Sequence, residues 1–122
     1  MSDSVPPSDW SVTEIVDVIA QVELIPTDEG GREQPLLGVH PYRPNHNFFG
    51  PENIVMCMGQ LDIPAGDPKY PGDIFACDMR LILHPDIADT MQPGRRWRIQ
   101  EGRKLVAYAE VKEVRSREKI TS

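Results

Sequence analysis

No stretch of this sequence approaches the roughly 18 uninterrupted apolar residues that a membrane-spanning helix requires. The first 29 residues contain no Lys or Arg, so the basic start of a secretory signal is absent as well. Phosphate-loop and dinucleotide-binding glycine motifs are missing, which excludes GTPase, kinase and dehydrogenase readings. Cysteine is scarce: Cys57 and Cys77 lie in apolar surroundings, a pattern that fits two reduced core thiols better than a disulfide framework or a zinc pair. Together these absences predict a cytoplasmic protein with no membrane contact. At 122 residues and 39% hydrophobic content the chain suits one small core.

Charge is unevenly spread. The net charge is −6, yet seven of the 19 acidic residues fall within positions 1–29. The remaining 93 residues carry thirteen basic against twelve acidic side chains, a net of +1. Between positions 95 and 104, Arg95, Arg96, Arg98, Arg103 and Lys104 face Glu101 alone. This segment reads either as an anion-binding patch or as an edge strand kept solvated by its charges.

Hydrophobic spacing follows strand period and not helix period. Val16, Val18, Ala20, Val22 and Leu24 occupy alternate positions, as do Phe75, Cys77, Met79, Leu81 and Leu83. Shorter alternations run over 54–61, 96–100 and 105–114. The 12 prolines and 9 glycines fall between these runs and punctuate them. Five or six strands with almost no helix predict an all-β, small closed antiparallel barrel. Residues 1–11 read as a flexible leader with Trp10 as its one large apolar group. The barrel is assigned to 12–115 and a charged, frayed tail to 116–122.

Catalytic constellations are weak. His40, His46 and His84 stand near prolines without metal-ligand spacing, and Asp86 and Asp89 read as loop carboxylates. No cofactor, metal or catalytic residue is expected, so the chain reads as a binding protein and not an enzyme.

More distinctive is an ordered series of blocks. Asp28-Glu29-Gly30-Gly31-Arg32 is followed by Pro35, Gly38 and Tyr42-Arg43-Pro44, then by Pro71-Gly72-Asp73 and Leu83-His84-Pro85. Gly94-x-x-Trp97-x-Ile99-x-Glu101-Gly102 ends the series. In order and spacing these blocks resemble the C-terminal β-barrel, the third domain, of translation elongation factor Tu, from about Val18 to Val114. The resemblance implies a six-stranded barrel that contacts tRNA or a protein partner of the elongation factor and binds no nucleotide by itself. Carried over by position, it assigns Arg32, Arg43, Asn45, Glu101, Gly102 and Lys104 to the partner or RNA contact. Phosphate-facing cations beside a glycine backbone suit such a contact, because they supply donors without reading bases.

The departures are equally specific. Glu33 stands where the family has His, Asn45 where it has Gln, Arg103 where it has Gly and Lys104 where it has Arg. Ala107-Tyr108-Ala109 replaces Gly-x-Gly, and two loops are longer by about three residues. These changes support an alternative, a mimic of elongation factor Tu that binds a toxin, a regulator or an exchange factor. The bland readings are that Arg32 pairs with Glu29 across a hairpin turn, and that Arg43 pairs with Glu101 at the barrel rim.

Overall fold

Alternation in the first run does build a strand. β1 spans Val12–Leu24 and buries Val16, Val18, Ala20, Val22 and Leu24 on one face. The computed structural model describes residues 3–121. After β1 come a 3-10 turn at Thr27–Glu29, β2 (Asn45–Asn47), β3 (Cys57–Asp62) and β4 (Ile74–Leu83). A one-turn helix, α1 (Pro85–Ala88), leads to β5 (Arg96–Glu101) and β6 (Lys104–Thr121). All neighbours pair antiparallel in the order β1-β4-β3-β2-β5-β6, and β6 returns to β1, so the predicted closed six-stranded barrel is the observed fold. No helix among the described residues is long and apolar enough to cross a membrane.

Several local expectations are corrected. β5 pairs with β2 on one side and β6 on the other, so the basic segment is not an edge strand. Residues 116–121, expected as a frayed tail, continue β6 and pair with β1 from Ser116 opposite Asp17 to Thr121 opposite Val12. Two register shifts in the β1–β6 pair bend these long strands around the barrel. The segment after β1 is not a hairpin: Gly30 takes φ 93, and Gly31 packs so closely that a Cβ would stand 1.8 Å from the Ile25 carbonyl oxygen. The Pro-flanked loop at Asp86 contains α1, capped by the His84 Nδ1, which accepts the Asp86 N–H at 3.0 Å. The leader is held at two points. Trp10 packs edge-on against His84 with ring centroids 5.6 Å apart, and the Ser4 N–H donates to the Phe48 carbonyl at 2.8 Å.

The interior is filled by side chains, as eight or fewer strands require. Trp97, Phe48, Leu61, Leu81 and Leu83 are fully buried, and the Trp97 and Phe48 rings stack at 5.1 Å. Cys57 and Cys77 are free and buried, and burial pushes both thiols up to about 12, which leaves them inert at neutral pH.

β2 is the exception to apolar patterning. Its sequence is Asn-His-Asn, and it closes the barrel between β3 and β5. The wholly buried His46 accepts the Trp97 Nε1–H at its Nδ1, 3.0 Å away, which places the ring proton on Nε2. That Nε2 lies against Gly59 without completing a hydrogen bond, and a Cβ at Gly59 would stand 2.6 Å from it. Asn47 is fully used: its Nδ2 donates to Gly50 O at 2.8 Å and Gln100 Oε1 at 2.7 Å. Its Oδ1 accepts the Phe49 and Gly50 amides at 2.8 and 3.1 Å.

Burial pushes the His46 imidazole down to about 4, with the Gly59 backbone opposing weakly. Below its ordinary value near 6.5 the unfolded chain takes up a proton that the fold refuses. Stability from this group is therefore complete above about pH 6.5 and falls by about 3 kcal/mol as pH drops to about 4. Urea unfolding at a series of pH values checks this. His46→Asn keeps an acceptor for Trp97 and lowers stability at neutral pH, but its loss between pH 6.5 and 4 should be smaller than in the parent. Equal losses would contradict the assignment.

Candidate functional site

All six predicted residues, Arg32, Arg43, Asn45, Glu101, Gly102 and Lys104, converge where the β5–β6 turn meets the chain entering β2. The turn consists of Gly102 and Arg103 between the paired Glu101 and Lys104, with Gly102 at φ 61. Asn45 opens β2 and lies opposite Gln100 on β5, and its Nδ2 reaches the Gly102 carbonyl at 3.5 Å. Tyr42 is fixed just before it by a bridge to Leu61, whose N–H donates to the Tyr42 carbonyl at 2.9 Å. These placements create a shallow hollow of about 260 Å³ lined by Tyr42, Arg43, Asn45, Gln100, Glu101 and Gly102.

Glu101 organises the hollow. One carboxylate oxygen, Oε2, pairs with Arg32 Nη1 and accepts the Tyr42 hydroxyl at 2.6 Å. Arg32 lies over the Tyr42 ring at 5.4 Å and donates its Nε–H to Gln34 O at 3.0 Å. Arg32 thus pairs with Glu101, not with Glu29 across the turn, and its charge is neutralised within the site. Arg43 does not pair with Glu101 either; its Nε donates to Gln60 Oε1 at 3.0 Å. Burial, reinforced by the Glu101 carboxylate, pushes the Tyr42 hydroxyl well above its ordinary value, so it remains a donor.

Arg43, Arg103 and Lys104 are exposed, and among the described residues none of them forms an ion pair. They are the open cations at this end of the barrel. The rest of the basic segment is internally matched. Arg96 faces Glu110 at 3.4 Å and Glu23 at 3.7 Å, and Arg98 pairs with Asp3 at 2.8 Å. The predicted patch therefore divides into an open part at the turn and a neutralised part along β5.

A wider hollow of about 610 Å³ has Asp17, Asp62 and Asp78 in its wall, but Arg80 holds Asp17 through bonds of 2.8 and 3.0 Å and keeps its carboxyl below the ordinary value. No group of three or more His, Cys, Asp or Glu side chains among the described residues could hold a metal ion. His46 lies in the core and His84 caps a helix.

Sequence reasoning passed over three residues that shape this region: Tyr42 as the second ligand of Glu101, Gln100 as the partner of Asn47, and Asp3 as the partner of Arg98. The Tyr-Arg-Pro block contained the first. The other two left no pattern, because they depend on side-chain contacts between residues 53 and 95 positions apart.

Tyr42→Phe should cost about 1 to 2 kcal/mol at neutral pH by removing the bond to Glu101. Above pH 10 the unfolded tyrosine ionises while the native one resists, so this hydroxyl becomes a growing liability to the parent. The difference between Tyr42→Phe and the parent should shrink from pH 8 to pH 11 in denaturant titrations. A constant difference would contradict the described environment.

No family model matches the chain, and no curated protein matches it.

Proposed function

We propose that the protein is a non-catalytic, translation-linked binding module of the cytoplasm that contacts the tRNA backbone through the β5–β6 end of its barrel. The observation that carries this reading is the convergence of Arg43, Asn45, Gly102 and Lys104 on one surface whose cations lack acidic partners. Arg43, Arg103 and Lys104 supply phosphate donors, and the open Gly102 backbone leaves room for close approach. Arg32, Tyr42 and Glu101 form a neutral brace behind them. Nothing in this reading requires a cofactor or a bound nucleotide.

With three open cations on a chain of net charge −6, binding should be weak and steeply salt-dependent. Filter binding of aminoacyl-tRNA at low and moderate salt tests this. Arg43→Ala and Lys104→Ala should each weaken binding across tRNA sequences and each reduce the slope of log K against log salt by about 1. Absence of aminoacyl-tRNA retention at low salt would overturn the proposal.

A second reading rests on a different feature. Leu37 and Val39, in the loop before Tyr42, are 50% and 68% exposed, and apolar groups suit a protein partner better than a phosphate backbone. It makes the protein a mimic of elongation factor Tu, held by a toxin, a regulator or an exchange factor. Pull-down from lysate that recovers RNA and no protein would count against it.

A further inference from the structure

Asp3 and Ser4 occupy the wall of β5 beside the proposed RNA surface. Asp3 Oδ1 accepts from Arg98 Nη1 at 2.8 Å, and Ser4 Oγ accepts from Arg95 Nη2 at 3.2 Å. The Ser4 N–H is tied to Phe48 O at 2.8 Å. At Gly50, φ 113, a Cβ would stand 3.2 Å from Asp3 Oδ2, so the absent side chain opens the space into which the carboxylate fits. The Arg95 guanidinium rests on the Phe48 ring at 5.3 Å. Arg98 on the Asp3 carboxylate and Arg95 on the Ser4 hydroxyl set two guanidinium groups around residues 3 and 4, and paired guanidinium groups are the components of an anion receptor. Arg98 is 16% exposed in its side chain, so its charge is largely removed from water and its anion is supplied by the chain itself.

This receptor continues the surface at the turn. Arg98 precedes Gln100 by two strand residues on the same face, a separation of about 6.6 to 6.8 Å. Gln100 Nε2 in turn reaches Gly102 O at 3.4 Å. A backbone of regularly spaced anions that follows β5 away from Lys104 therefore meets Arg98 next, and there it meets Asp3.

We propose that Arg98 and Arg95 form a second phosphate-binding station, filled in cis by Asp3, and that RNA displaces residues 3 and 4 when it binds. The proposal rests on the RNA reading above and extends it. The contact tunes affinity and does not block the surface, since a partly exposed ion pair is worth a factor of a few.

The test uses full-length protein, a tRNA ligand followed by fluorescence anisotropy at low salt, and Ser4 amide hydrogen exchange. Asp3→Asn should tighten binding about two- to fivefold. Asp9→Asn, which removes the same charge from the leader away from Arg98, should give less than half that gain. In an Arg98→Ala background the gain from Asp3→Asn should vanish, and bound RNA should accelerate Ser4 exchange in the parent. Equal RNA affinity for Asp3→Asn and the parent, with Ser4 still protected in the complex, would overturn the cis-occupant proposal and leave the RNA reading standing. No RNA binding by either protein would overturn both. Release of Ser4 by an acidic peptide but not by RNA would overturn RNA as the displacing partner.

Discussion

The barrel closes through three polar residues. β2 is all that joins β3 to β5, and a strand of Asn, His and Asn brings little hydrophobic energy to that seam. What holds it is hydrogen bonding between buried groups: Trp97 to His46, and Asn47 to Gln100 and to the turn at Phe49 and Gly50. Such bonds have a modest net value when made and a large cost when one partner is missing. The seam therefore specifies register more than it adds stability. His46 can face only Cys57 and Ile99 if the Trp97 indole is to find its acceptor, and Gly59 leaves the room its ring needs.

The proposed binding surface inherits its geometry from that seam. Asn45 begins β2 and Glu101 ends β5, so the register fixed by His46 and Asn47 sets the distance between the entering chain and the β5–β6 turn. Glu101 then gathers Arg32 and Tyr42 into a neutral brace. The result is a short rigid surface whose free charge comes from Arg43, Arg103 and Lys104. The acidic start of the chain completes the electrostatic pattern, because Asp3 lies on Arg98, while Glu110 and Glu23 face Arg96 further along β5.

Long strands were legible in the sequence because their core faces obey a period of two: β4 could be placed from Phe75 to Leu83 almost to the residue, and the alternation from Val16 to Leu24 gave the end of β1 but began four residues after its start at Val12. β2 was not, since three polar residues show no apolar period and their burial is decided by partners on other strands. The end of β6 was misread for a related reason. Arg115 to Lys119 has a charged, tail-like composition, yet β1 supplies a ladder for it, and Arg117 bridges Glu14 and Asp89 at 2.7 and 2.9 Å. Arg32, Arg43, Asn45, Glu101, Gly102 and Lys104, far apart in sequence, lie together at one end of the barrel. The fate of Arg32 was not legible, because its neutralising partner lies 69 residues away.

The proposed binding surface is the turn and the adjacent wall of β5. Amide chemical-shift mapping of the isotope-labelled protein during titration with aminoacyl-tRNA addresses it most directly. The largest shifts should fall on Arg43, Asn45 and residues 98–104. Shifts centred instead on the Met58 and Ile82 face of β3 and β4, or none at saturating tRNA, would contradict it.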